Sequence, residues 1–255
     1  MSSVGLMFVG AVLVVNGLLF LGKVDAKSAG VFNLFVGGPQ TAIPFYLISH
    51  AKTPDELLLA SGIFLFGFTY LYVGISNLAG HRPLGLGWYS AWVAIMACAF
   101  GVTNIVKFSD PTIGLLWLQW SLLWGLFFLV LGLGIERLTA LAGWATLILS
   151  FTTCTIPGFL LLLGEWGGVH TWLVLVVIAA TMAALVPVAL DTTDSSRATD
   201  RRGGGGFGRL AGSPERSANF LRARSPWRGV RLMHPRHGVA TARLMRVSSS
   251  FSKPE

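Results

Sequence analysis

An all-α, polytopic transmembrane helix bundle is the fold class this sequence predicts, and three observations predict it. Hydrophobic residues make up 53% of the chain and charged residues only 12%, against about a quarter charged in an ordinary soluble domain. Uncharged apolar runs recur along residues 1–190, each close to the roughly 20 residues a helix needs to cross a bilayer. Chains in hydrocarbon must also satisfy their backbone polar groups internally, which a helix does within one segment.

The first run, residues 4–21, has no basic residues ahead of its apolar part and no small-residue cleavage pattern behind it, so it reads as a span and not as a secretion signal. The second, 29–48, contains Gly37, Gly38, Pro39 and Pro44, which interrupt it. The third, 57–79, carries the aromatic run FGFTYLY, and the fourth occupies 87–106. The fifth, 112–134, holds three tryptophans, and the sixth, 140–163, contains Pro157. A seventh run covers 171–190. The prolines free backbone groups that need other partners. That irregularity fits either a helix buried in protein beside a cavity or a simple packing kink.

Charge is confined to the ends of these runs. Residues 1–190 balance six bases (Lys23, Lys27, Lys52, Arg82, Lys107, Arg137) against six acids (Asp25, Asp55, Glu56, Asp110, Glu136, Glu165). The net charge of +8 therefore belongs wholly to residues 191–255, where thirteen bases stand against five acids. Lys23, Lys27, Arg82 and Arg137 follow spans one, three and five, which places those loops in the cytoplasm by the positive-inside tendency. The N-terminus is then outside, and seven spans leave the basic C-terminal tail inside.

That tail opens with DTTDSSRATDRRGGGGFGRL, a Gly-, Ser- and charge-rich composition that predicts disorder. Its arginines suit anionic lipid headgroups; without a recognisable module they give no basis for nucleic-acid binding. Cys98 and Cys154 both lie within spans with neither CxxC spacing nor a histidine cluster. They read as small packing residues, and no metal or cofactor is expected.

The aromatic residues are the candidate functional residues. In WLQWSLLW, Trp117, Trp120 and Trp124 fall within about 60° of one helix face. Trp124 is about 18 Å from the outer end of its span, too deep for an interfacial belt. Helix packing and a lumen remain as rivals. In the third span Phe68 and Tyr72 share a face at i and i+4, and a tyrosine hydroxyl in hydrocarbon needs a partner. Asn16 and Asn33 raise the same need, though asparagine also serves as glue between helices. Each residue alone fits packing; together, aromatic planes with sparse uncharged polar atoms describe a narrow lumen for a small, flat, neutral solute. No charge lies in the middle of a span, which argues against ion passage and proton coupling. The absence of HExxH, GxSxG and an intramembrane acid–histidine pair argues against an enzyme.

Five colinear stretches resemble the urea and short-chain amide channels encoded beside ureases and amidases. They are NGLLFLGKVDAKSAGVFNLFVGG from Asn16, LFGFTYLYVGISN from Leu65, GWYSAWVAI from Gly87, WLQWSLLW from Trp117 and IPGFLLL from Ile156. The resemblance implies six helices per protomer, a pore through each protomer, a homo-hexameric ring in the inner membrane of a bacterium, and a supply of amide or urea to a cytoplasmic amidase or urease. By motif position it implies that Phe68, Tyr72, Trp117, Trp120 and Trp124 line the pore, with Asn16 nearby. Residues 1–166 then form the channel domain, 167–190 an additional transmembrane helix, and 191–255 the disordered cytoplasmic tail. Where the acid-gated urea channel carries a glutamate eight positions before the IP motif, this sequence has Leu149, and SHAKTPDE offers only His50 in place of a histidine-rich outer loop. The expectation is an ungated, passive channel. The rival is a non-transporting membrane scaffold that docks an enzyme or lipid through its basic tail.

Overall fold

The computed structural model describes residues 3–204, and among these residues every regular element is helical. The first four spans are α1 (Ser3–Phe20), α2 (Ala26–His50), α3 (Pro54–Ala79) and α4 (Leu84–Val106). The fifth is α5 (Pro111–Phe127), which runs on into a π-helical turn, Phe128–Gly132. The sixth is composite: a 3-10 turn (Glu136–Leu138), α6 (Thr139–Leu149), a second π turn (Ser150–Thr155) and α7 (Ile156–Leu163). The seventh is α8 (Thr171–Gly204). All seven are long and apolar enough to cross a membrane, and each transmembrane stretch lies within about a turn of its expected limits.

Short local signals set the helix ends. Asp25 caps α2 by accepting from the Ser28 amide at 2.9 Å, and Asp110 caps α5 by accepting from the Ile113 amide at 2.9 Å. Thr53 accepts from the Glu56 amide, while the Glu56 carboxylate reaches back to the Lys52 amide at 2.7 Å, a reciprocal arrangement close to a capping box. Pro54 and Pro111 occupy the first helical positions, where their missing N–H costs nothing.

The spans close a ring. Each of the first six packs on its neighbour in sequence, and the sixth returns to the first. Close approach comes from small residues: on α4 and α5 a Cβ at Gly101 or at Gly114 would meet the other glycine's carbonyl at 3.1 and 2.9 Å, the backbone-to-backbone contact that small residues allow between spanning helices. α8 lies against α5 and α6 from outside, through Val174, Thr181 and Leu185 and a Thr112–Thr171 hydroxyl hydrogen bond of 3.0 Å. Every span carries large apolar side chains on its outer face, among them Phe8, Phe35, Ile75, Ile95, Leu122, Phe159 and Trp172. Hydrocarbon, not water, suits such a surface. The protein is a membrane protein.

Two sequence expectations change. α2 is not interrupted: it continues through Gly37, Gly38, Pro39 and Pro44, with the Thr41 hydroxyl donating to the Gly37 carbonyl at 2.8 Å. Residues 191–204, read from the sequence as the start of the tail, are helical, because α8 continues to Gly204. Its segment DTTDSSRATDRR holds no proline or glycine, so a helix already nucleated in the preceding apolar span propagates through it. The rest of the expected tail, 205–255, lies outside the described residues.

Candidate functional site

Trp117, Trp120 and Trp124 all point into the ring and are 4%, 2% and 4% exposed. At positions i, i+3 and i+7 they share one face of α5, and what they face is Phe66 of α3. Its ring centroid lies 5.8 Å from Trp117, 5.0 Å from Trp120 and 4.9 Å from Trp124. Trp120 stands edge-on to both Phe66, at 89°, and Trp117, at 79°, the geometry that ring quadrupoles favour. Trp117 is also stacked on Phe100 of α4 at 4.8 Å. Gly62 makes room for it: a Cβ there would lie 3.1 Å from the indole. Leu6, Val9 and Leu13 of α1, Tyr70 of α3 and Leu149 of α6 belong to the same buried cluster.

Phe68 and Tyr72 are not in this cluster. They are 45% and 39% exposed, on the opposite side of α3. Phe68 stacks on Phe64 at 5.1 Å, and Tyr72 lies 6.3 Å from Tyr89 of α4, its hydroxyl against Gly85. The inward places belong to Phe66 and Tyr70. The reason is rotational: in FGFTYLY both pairs have i, i+4 spacing, and the two pairs sit about 200° apart on the helix. The signal that separates them is Gly62, one turn before Phe66, a small residue in an aromatic stripe where an indole closes in.

Asn16 is buried but turned toward α2. It donates to the Asn33 side-chain oxygen at 3.0 Å and accepts from the Asn33 amide at 2.7 Å, while Asn33 also donates to the Ala29 carbonyl at 2.8 Å. This reciprocal pair joins the first two spans, the glue role open to an intramembrane asparagine.

The polar atoms of the cluster are few. Trp120 Nε1 donates to Thr153 Oγ1 at 2.9 Å, and that hydroxyl donates to the Leu149 carbonyl at 2.6 Å. Sequence reasoning missed Thr153, because the π turn alone brings it to this face. Acidic and basic side chains of the described residues stay at the span ends, where Lys107 pairs with Asp55. Such a centre offers aromatic faces, a hydroxyl and indole N–H groups. A centre of this chemistry offers an ion nothing to replace its water.

Residues 1–165 match the sequence pattern of the AmiS/UreI family transporters. The chain belongs to the AmiS/UreI transporter family. Among relatives, this AmiS/UreI transporter is 53% identical over 167 residues to a Rhodococcus erythropolis protein carrying the transporter name AmiS2, covering 65% of the chain and 81% of the relative. It is 40% identical to an amidate substrates transporter protein of Mycolicibacterium smegmatis, covering 65% and 78%. An acid-activated urea channel of Helicobacter pylori is 30% identical, over 63% of the chain and 97% of the relative. The crystal structure of the urea channel from that gastric pathogen superposes with a TM-score of 0.59 at 31% identity, over 65% of this chain and 99% of the other. Its closed state, from electron cryomicroscopy, gives 0.59 at 32% identity over 65% and 100%. The family match ends at residue 165, before α8 begins at Thr171.

Proposed function

We propose that this AmiS/UreI transporter is a passive channel for short-chain aliphatic amides or urea, and not an enzyme. The observation that carries the reading is the Trp117–Trp120–Trp124 face closing on Phe66 at the centre of a six-span ring, with acidic and basic side chains held at the rim. For passage these rings must part into an apolar slit for the amide plane, because Trp120 stands edge-on to both Phe66 and Trp117 and is buried between them. A neutral amide loses little on entering it and exchanges part of its hydration for hydroxyl and indole groups, whereas a hydrated ion faces a desolvation cost many times larger. Few polar contacts keep the solute from sticking.

Amides are favoured over urea as the physiological solute, because a relative named for amidate substrates is more similar to this chain than the one named for urea. Transport is independent of acid activation, since Leu149 of the cluster is apolar. The protomers assemble as a homo-hexamer, each with its own pore, in the bacterial inner membrane with the N-terminus outside and α8 ending in the cytoplasm. The solute supplies a cytoplasmic amidase or urease. Residues 1–166 form the channel domain and α8 an added helix; membership of a transporter family leaves the scaffold reading without support.

The test is stopped-flow light scattering of proteoliposomes placed in an acetamide or urea gradient. Expected is solute permeability well above that of empty vesicles, with no conductance for sodium or chloride. Permeability equal to that of empty vesicles overturns the proposal.

A further inference from the structure

The hydroxyl that meets Trp120 has its proton committed within the sixth span, to the Leu149 carbonyl. A threonine hydroxyl offers one donor and two acceptor sites. In Thr153 the proton goes to the Leu149 carbonyl at 2.6 Å, one acceptor site receives Trp120 Nε1 at 2.9 Å, and the Cys154 sulfur lies 3.4 Å from the same oxygen. With its proton committed, the hydroxyl turns a lone pair toward the indole. Trp120 is itself fully buried among rings, edge-on to Phe66 and to Trp117. Dispersion holds its faces, and the Thr153 contact is the directional bond that selects one rotation of the ring.

The backbone that carries Thr153 is built for this. Between Ser150 and Thr155 the sixth span widens into a π turn, a form that is rare and concentrated at functional sites. The Ile156 amide bonds the Phe151 carbonyl, five residues back, and Pro157 follows with no N–H. The Thr155 hydroxyl bridges the widened turn to the Ser150 carbonyl at 2.8 Å. Space for the turn comes from α1: a Cβ on Gly10 would lie 2.1 Å from Thr155 Oγ1 and 2.9 Å from the Ser150 carbonyl oxygen. A π turn carries an extra residue per turn, so it rotates everything after it relative to a continuous α-helix. Gly10 and Pro157 thereby fix which side chain of SFTTCT faces Trp120.

We propose that Thr153, presented by the Ser150–Thr155 π turn against Gly10, is a positioning residue that locks the Trp120 indole and so sets which planar solutes pass. The assignment rests on the channel reading above. Thr153→Val keeps the side-chain shape and removes the better acceptor, leaving the indole N–H only the weakly accepting Cys154 sulfur. The expected result is a roughly fivefold loss of discrimination between acetamide and N-methylacetamide, the factor that one neutral hydrogen bond is worth. Thr153→Ser keeps the hydroxyl and restores the wild-type ratio.

The decisive comparison is made in a Trp120→Phe background, where Thr153→Val has no further effect on the ratio if it acts through the indole. A second readout needs no flux. In nitrogen-15 spectra of the protein in nanodiscs, the indole N–H signal absent from Trp120→Phe moves upfield in Thr153→Val and stays in place in Thr153→Ser. An unchanged solute ratio in Thr153→Val, an equal change in the Trp120→Phe background, or an unmoved indole signal overturns the assignment while leaving the channel standing. A wild-type protein no more permeable than empty vesicles ends the channel reading, and the assignment with it.

Discussion

The Phe66 ring stands edge-on to the Trp120 indole, centroids 5.0 Å apart, and joins α3 to α5 across the middle of the ring. Phe68, two residues further on, faces away from both. The two phenylalanines therefore mark opposite sides of α3, Phe66 buried and Phe68 exposed. Phe66→Ala is expected to cost about 3 kcal/mol or more in stability, as buried Phe truncations do, and to change the acetamide-to-urea permeability ratio. Phe68→Ala is expected to leave that ratio alone. Stopped-flow flux on both variants decides, and a larger effect at Phe68 would return the lumen to the outer face.

The Asn16–Asn33 pair is expected to govern stability and not passage. Removing one member strands a buried amide, so Asn16→Ala and Asn33→Ala should each cost about 1–2 kcal/mol. The Asn16→Leu/Asn33→Leu double variant should cost less than the two single losses together, because no polar group is left unpaired. Thermal unfolding in detergent measures this, with flux as the control. Solute selectivity that shifts strongly in the double variant contradicts the assignment.

Two glycines offer a sharper contrast. Gly10 faces the π turn with no room for a methyl group, whereas a Cβ at Gly38 meets nothing within 4 Å. Gly10→Ala is expected to destabilise by about 1–3 kcal/mol through overpacking and to disturb selectivity, since the turn must shift. Gly38→Ala should be neutral or slightly stabilising, because alanine is the better helix former. Equal behaviour of the two variants in unfolding and flux assays would remove the π turn from the account.

Flux is expected to be flat between about pH 5 and about 7.5, because the cluster's titratable side chains are Tyr70 and Cys154, a phenol and a thiol that in water titrate near about 10 and about 8.5. At the rim, the Ser28 hydroxyl and then its amide hold the exposed Asp25 carboxyl below its ordinary value. A lowered folded-state value means that this cap contributes above the unfolded carboxylate range and is lost as pH falls through the lower folded value. That loss lies on the acid side of about pH 4, outside the flux window. A steep rise in flux on acidification of the outer face would contradict this.

Much of this architecture was legible residue by residue. Uncharged length against bilayer thickness placed seven spans, and the confinement of charge to their ends followed from the same reading. The caps at Asp25, Thr53 and Asp110 emerged only with the structure, although each acts within its own first turn. The tryptophan face of α5 was legible too, because three indoles on one stripe have only one common side.

What tertiary structure alone decided was which face of each helix is inside. A soluble helix marks its inner side by polarity, but a spanning helix is apolar all round. Phe66 with Tyr70 and Phe68 with Tyr72 therefore looked alike in sequence, and only the approach of α5 beside Gly62 chose between them. The same holds for Thr153, whose direction depends on a π turn that forms because Gly10, on a different span, leaves space for it.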